Sequence, residues 1–228
     1  PLVVDNTLAT PYLFRPFEHG ADVVVHSTTK FLNGHGSAVG GIVIDSGRFD
    51  WPSDKYPDFA AFKERKGKLA YIDKVWREIH INFGTSQAPL HSYLTLIGLE
   101  TLGLRMERHM ANAIKVAEFL RTHPRVKWVN FPGLPANPTH ETAKAQFKGR
   151  GYGALLAFGL ENEKACFDFI RRLKLIYHLA NLGDCKTLAI HPWSSQYLSF
   201  VEDSRRANGI TPDLVRISVG IEAGEDIQ

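Results

Sequence analysis

The stretch His26–Gly41 reads HSTTKFLNGHGSAVGG, and its reading governs the rest of the chain. It follows the strand-like ADVVV (Ala21–Val25), whose valines are an apolar run of the kind buried on both faces of a parallel sheet. One lysine, Lys30, stands among hydroxyls just before a run of glycines. Strand ends that open into polar loops are where α/β sheets place ligand groups. Three roles are open to Lys30. It is a solvated loop charge, the default for a lysine, or the proton acceptor of a serine nucleophile, or an amine that holds an aldehyde cofactor covalently.

Working outward, Leu2–Val4, Asp22–His26 and Val39–Ile44 read as three short strands of an α/β sheet. Phe14–His19 reads as a helical turn ending at Gly20. Phe49–Gly84 is aromatic-rich and less regular, an excursion over the sheet with a solvated basic face at Lys63–Lys68. Pro89–His123 has the clearest helical period, with Met106, Met110, Ala113, Ala117 and Leu120 on one core-facing stripe and a bend expected near Gly98 and Gly103. Strands follow at Val126–Phe131, Ala154–Leu160, Thr187–His191 and Leu214–Val219, with helices at Pro138–Phe147 and Glu163–Lys174. The expected organisation is an α/β unit over residues 1–88, then the long connecting helix and a smaller α+β domain over 89–228.

Composition removes several classes. The chain has 228 residues, a formal charge of +3 and scattered Lys and Arg, so no nucleic-acid footprint is expected. No window approaches about 18 apolar residues, and no membrane span is expected. Ten histidines occur without HExxH or CxxC spacing, which argues against a metal site. Two cysteines, Cys166 and Cys185, read as small buried hydrophobes and suit a reducing, cytoplasmic setting. The chain opens directly on a strand at Pro1 and stops in an incipient helix at GIEAGEDIQ; it reads as a fragment of a longer protein.

The serine reading rests on Ser27-Thr28-Thr29-Lys30, an S-x-x-K pattern. Its companions S-D-N and K-T-G are absent. The cofactor reading has a fuller parts list. Pyridoxal 5′-phosphate needs a lysine amine, hydroxyls or N–H groups for its phosphate, and a carboxylate against its ring nitrogen. An amino-acid substrate needs an arginine for its carboxylate. Ser27 and Thr29 flank Lys30, and Asp5 ends a neighbouring strand 25 residues upstream. Arg216 lies within the late strand LVRISVG. The alternatives are a turn-capping role for Asp5 and a structural ion pair between Arg216 and Glu222.

VVDNTLATPYLFRP followed by GADVVVHSTTKFLNGHGSAVGG resembles the Cys/Met-metabolism group of fold-type-I pyridoxal phosphate enzymes. GLETLGLRMERHMANAIKVAEFLRTHPRVKWVNFPGLP, NLGDCKTLAIHP and GITPDLVRISVGIE narrow the likeness to the O-acetylhomoserine sulfhydrylase branch. The resemblance implies the C-terminal part of a mostly parallel cofactor-binding domain followed by the smaller domain. It implies that Lys30 is the Schiff-base lysine, that Asp5 pairs with the pyridine nitrogen, and that Ser27 and Thr29 hold the phosphate. Thr7 is implied near the ring. Arg216 is implied to bind the substrate α-carboxylate with backbone help around Asn181 and Leu182. Asn181 stands where lyase branches often carry serine. HPWSSQY (His191–Tyr197) departs from the family's HPASxTH at Trp193, Gln196 and Tyr197. The implied reaction is γ-replacement on O-acetylhomoserine with sulfide or methanethiol, in a homotetramer of site-sharing dimers. The implied alternatives are cystathionine synthesis or γ-elimination, and an inert fragment that serves only in assembly.

Overall fold

The computed structural model describes all 228 residues. β1 (Val3–Asp5) leads into α1 (Thr10–Leu13) and a 3₁₀ turn at Pro16–His19, which ends on Gly20 at φ 87°. A glycine is suited to that left-handed position because it has no Cβ. β2 (Val23–Ser27) then pairs with β1 in parallel, Asp5 opposite Val25. β3 (Gly41–Asp45) pairs with β2 in the antiparallel sense, Gly41 opposite Ser27. The first sheet is therefore mixed, where a mostly parallel one was expected. The connection from β2 to β3 carries no crossover helix, and without one the chain returns antiparallel.

The aromatic excursion is more regular than its sequence suggests. It contains α2 (Ala60–Lys66), α3 (Ala70–Lys74), a π-helical segment at Val75–His80 and α4 (Ile81–Phe83). Trp51 organises it, its ring parallel to those of Phe59 and Tyr71 with centroids 4.3 Å and 5.2 Å away. The aromatic residues that obscured a helical period thus form a local core of their own.

The long helix is two helices, α5 (Pro89–Glu100) and α6 (Leu102–Thr122). The break falls at Thr101, between the two glycines expected to weaken it. Gly98 is needed for contact: a Cβ there would sit 2.2 Å from the Asn33 carbonyl oxygen of the lysine loop. Then come β4 (Trp128–Asn130), α7 (His140–Gln146), β5 (Leu155–Gly159) and α8 (Glu163–Arg172), the last capped by the Asn162 side chain, which accepts from Ala165 N. β6 (Tyr177–His178), β7 (Leu188–Ile190), α9 (Glu202–Ala207), β8 (Leu214–Ser218) and α10 (Gly224–Ile227) complete the chain. The second sheet has the order β4-β5-β8-β7-β6, antiparallel except for β6–β7.

Side chains alternate across this sheet, as strand geometry requires. Leu156, Phe158, Val215, Ile217 and Ala189 join the α6 stripe of Met106, Met110, Ala113, Ala117 and Leu120 in one apolar core. Leu13, Phe31 and Leu32 belong to the same core and tie the lysine loop to it. Cys166 is buried there, whereas Cys185 is only half-buried, in a connecting strap instead of a core element. Arg216 faces the other side of the sheet, opposite Ala157 and Ile190. No helix is long and apolar enough to cross a membrane.

His109 on α6 is fully buried, packs edge-on against Phe31 and bonds the Val219 carbonyl at 2.7 Å. Burial, opposed in part by that bond, lowers its pKa to about 4. Between that value and the unfolded pKa near 6.5 the unfolded chain binds the extra proton. Stability therefore falls as pH drops through this window, by about 3 kcal/mol from this group. Urea midpoints at pH 7 and pH 4.5 should converge when His109 is replaced by Gln, relative to their separation in the parent.

Candidate active site

The loop after β2 is built to hold Lys30 in place. Gly34 N donates to the Lys30 carbonyl at 2.8 Å and Asn33 N to the Thr28 carbonyl at 3.1 Å. Beneath it lies Arg105, a buried guanidinium that donates to the carbonyls of Phe31 at 2.8 Å, Leu32 at 3.4 Å and Gly98 at 2.6 Å. It has no carboxylate partner. Its charge satisfies two carbonyls of the lysine loop and one in the last turn of α5, where helix carbonyls lack intrahelical partners. His109 and Asn112 continue the row: Asn112 Nδ2 donates to the carbonyls of Gly220 at 3.0 Å and Glu222 at 2.8 Å. One face of α6 thus grips both the lysine loop and the chain after β8. None of the three was picked out from sequence. The signal was present, because Arg105, His109 and Asn112 repeat at helical spacing directly beside the apolar stripe.

Lys30 Nζ donates to Asn181 Oδ1 at 2.6 Å. Burial and, secondly, the nearby Arg216 charge lower the Lys30 pKa. Lys30 meets Ser27 only through the main chain, its N–H donating to the Ser27 carbonyl at 3.3 Å; Nζ makes no bond to the Ser27 hydroxyl, so the S-x-x-K pairing is not formed. Arg216 Nη2 donates to the Asn181 carbonyl at 3.3 Å and makes no ion pair. Its expected alternative partner is engaged elsewhere: Glu222 accepts from Thr187 N at 2.6 Å and Thr187 Oγ1 at 2.9 Å. Arg216 is partly dehydrated, and burial lowers its pKa, with Tyr197 near enough to oppose that shift. The backbone N–H groups of Asn181 and Leu182 donate to nothing in the chain.

At the other strand end, Asp5 Oδ1 accepts from Thr7 N at 2.9 Å, which is the turn-capping contact. Its second carboxylate oxygen makes no hydrogen bond or ion pair, and the residue is exposed. Thr7 Oγ1 accepts from Ser27 N at 2.8 Å and stitches the ends of β1 and β2 together. The Ser27 hydroxyl has no partner. Thr29 differs: its hydroxyl donates to the Gly40 carbonyl at 3.2 Å and accepts from Gly40 N at 3.0 Å. Thr29 closes the loop and is less free than Ser27. In the departing segment, Trp193 is clamped by Arg205, whose guanidinium lies 3.8 Å from the ring centroid and donates to the Trp193 carbonyl at 3.1 Å.

The chain therefore brings Lys30, Asn181, Leu182 and Arg216 into one cluster, and Asp5, Thr7 and Ser27 into a second at the ends of β1 and β2, from which the Lys30 loop leaves. Four groups lack the partners their chemistry calls for: an amine shifted toward neutrality, a hydroxyl, a carboxylate oxygen and an arginine. They match the demands of pyridoxal 5′-phosphate and an amino-acid carboxylate.

This fold and set of unmet groups fit the class of pyridoxal phosphate enzymes. The chain belongs to the Cys/Met metabolism PLP-dependent enzyme family, whose model matches residues 1–228. It is 44% identical over 240–246 residues to the O-acetyl-L-homoserine sulfhydrylase of Leptospira meyeri and to a sulfhydrylase of Gibberella moniliformis, covering 100% of this chain and 55% of each relative. The homocysteine synthase of Schizosaccharomyces pombe is 42% identical, with 100% and 56% covered. The chain thus spans about half the length of the curated relatives it matches. Among solved structures, a Campylobacter jejuni protein described as an O-acetylhomoserine (thiol)-lyase, carrying a pyridoxyl-lysine phosphate, superposes with TM-score 0.94 at 35% identity, covering 99% of this chain and 56% of that one. Cystathionine γ-synthase from Xanthomonas oryzae gives TM-score 0.82 at 36% identity, with 99% and 52% covered. Pyridoxal phosphate is the cofactor of this family.

Replacing Arg105 by Met should strip donors from three buried carbonyls. Gly98 keeps Thr101 as a donor, so two carbonyls, of Phe31 and Leu32, are left unsatisfied. The expected loss is at least about 2 kcal/mol, taking roughly 1 kcal/mol or more for each. Thermal unfolding should show a midpoint lowered by about 4–8 °C for a chain of this size.

Proposed function

We propose that the protein catalyses γ-replacement on O-acetyl-L-homoserine, with sulfide or methanethiol displacing acetate to give homocysteine or methionine. The observation that carries this reading is the pairing of Lys30, an amine without a carboxylate partner, with Arg216, a guanidinium without one, across a single asparagine. The sulfhydrylase and homocysteine synthase relatives support the choice of reaction.

Bound pyridoxal phosphate supplies an electron sink for a carbanion at the substrate Cα. Lys30 Nζ is the amine that would hold its aldehyde carbon, and its lowered pKa raises the share of nitrogen with a free lone pair at a given pH. The free oxygen of Asp5 would face the ring nitrogen and keep it protonated. The Ser27 hydroxyl would donate to the phosphate, as would Thr29 on giving up its Gly40 contact. Thr7 fixes the spacing between the Asp5 and Ser27 strand ends. Arg216 would take the α-carboxylate through two parallel bonds, and the free N–H groups of Asn181 and Leu182 would donate to the same carboxylate. Once its nitrogen is free, Lys30 would accept the Cα proton. Residues 1–88 would belong to the cofactor-binding domain and 89–228 to the smaller domain. The working form would be a cytoplasmic tetramer, a dimer of dimers whose subunits share sites.

Lys30→Ala should abolish borohydride-fixed pyridoxyl labelling and lower turnover at least about 10²–10⁴-fold, the range for a lost general base. Arg216→Lys should raise KM for the amino-acid substrate about 10- to 100-fold, as expected for loss of a two-pronged charged bond. Product analysis with and without sulfide tests the reaction itself. Homocysteine that appears only with sulfide supports replacement, and α-ketobutyrate formed without a thiol overturns it in favour of elimination.

A further inference from the structure

Asn181 is placed between the Lys30 amine and the Arg216 guanidinium and gives each of them an oxygen. Its side-chain oxygen accepts from Lys30 Nζ at 2.6 Å, and its main-chain oxygen accepts from Arg216 Nη2 at 3.3 Å. The strap that carries it is pinned from both sides. Gly183 N donates to Ser218 Oγ on β8 at 2.9 Å, and Cys185 N donates to the Gly34 carbonyl of the lysine loop at 2.8 Å. Gly183, at φ 72°, lies so close that a Cβ would meet Phe31 N at 2.6 Å. The position of the Asn181 oxygen is thus set by the same two elements that carry Lys30 and Arg216.

The choice of a neutral acceptor matters. A carboxylate at this distance would form an ion pair with Lys30 and hold it charged. It would also partly neutralise Arg216. An amide oxygen orients the amine and favours its charged form far less. No carboxylate pairs with Lys30 from any element packed against it, and Arg216 on β8 is the charged group that bears on it.

We propose that the Asn181 side chain is a positioning residue that parks the free Lys30 amine, holding it aimed for bond formation with the cofactor aldehyde without the ion pair a carboxylate would impose. This goes beyond the backbone contribution of Asn181 to carboxylate binding. It rests on the reading of Lys30 as the attachment lysine.

The test uses competitive acylation of Lys30 by acetic anhydride across pH, read by mass spectrometry, without cofactor. The proteins compared are the parent, Asn181→Asp and Asn181→Ala, with far-UV circular dichroism to verify folding. The Asp variant should raise the midpoint of Lys30 reactivity by about 1 pH unit or more, as a carboxylate beside an amine does. The Ala variant should slow capture of added pyridoxal phosphate about 10-fold at a pH where the amine is fully neutral. A midpoint unmoved by Asn181→Asp, or capture undiminished in Asn181→Ala, overturns the proposal. Borohydride mapping of pyridoxal phosphate to a lysine other than Lys30 overturns the attachment reading instead, whatever the acylation midpoints show.

Discussion

The structure depends on the polar row along α6. Arg105, His109 and Asn112 are almost fully buried, and each bonds to main-chain carbonyls of segments far away in sequence. Arg105 holds the lysine loop, and His109 and Asn112 hold the chain just beyond Arg216. A buried charge or imidazole is costly unless its donors are used. Here their use fixes the distance between the two segments that carry the candidate chemistry. The apolar stripe beside them supplies the burial, and the polar row supplies the registration.

That division of labour explains what the sequence made legible. The strands around Asp5 and Lys30 were readable because short apolar runs end in polar loops. The α6 stripe was readable because Met106, Met110, Ala113, Ala117 and Leu120 keep helical spacing. Arg105 and His109 were passed over because charged and titratable side chains on a helix are ordinarily solvated. Only tertiary packing makes them internal. The short helices of the excursion before α5 are not legible because Trp51 and its stacked neighbours interrupt any amphipathic period while packing against one another. β6 and α9 are two and six residues long, too short to carry a period at all.

The candidate site was legible in its parts and not in its joins. Lys30, Asp5, Ser27 and Arg216 could be named from residue type and position. That Asn181 bridges Lys30 and Arg216 could not, since 151 residues separate it from the lysine it bonds. Nor could the engagement of Glu222 by Thr187, which is what leaves Arg216 unpaired. Thr29 shows the reverse: a hydroxyl nominated for the phosphate is already spent on closing its own loop at Gly40.

The central claim is that the α6 row holds the lysine loop in its working geometry. Hydrogen exchange read by mass spectrometry on peptides covering residues 28–34 tests it most directly, in the parent and in Arg105→Met. The account predicts slow exchange at Asn33 and Gly34 in the parent and marked acceleration there in the variant, with β5 and β8 still protected. Parent amides at Asn33 and Gly34 that exchange as fast as those of the exposed segment around Leu198–Val201 would contradict it.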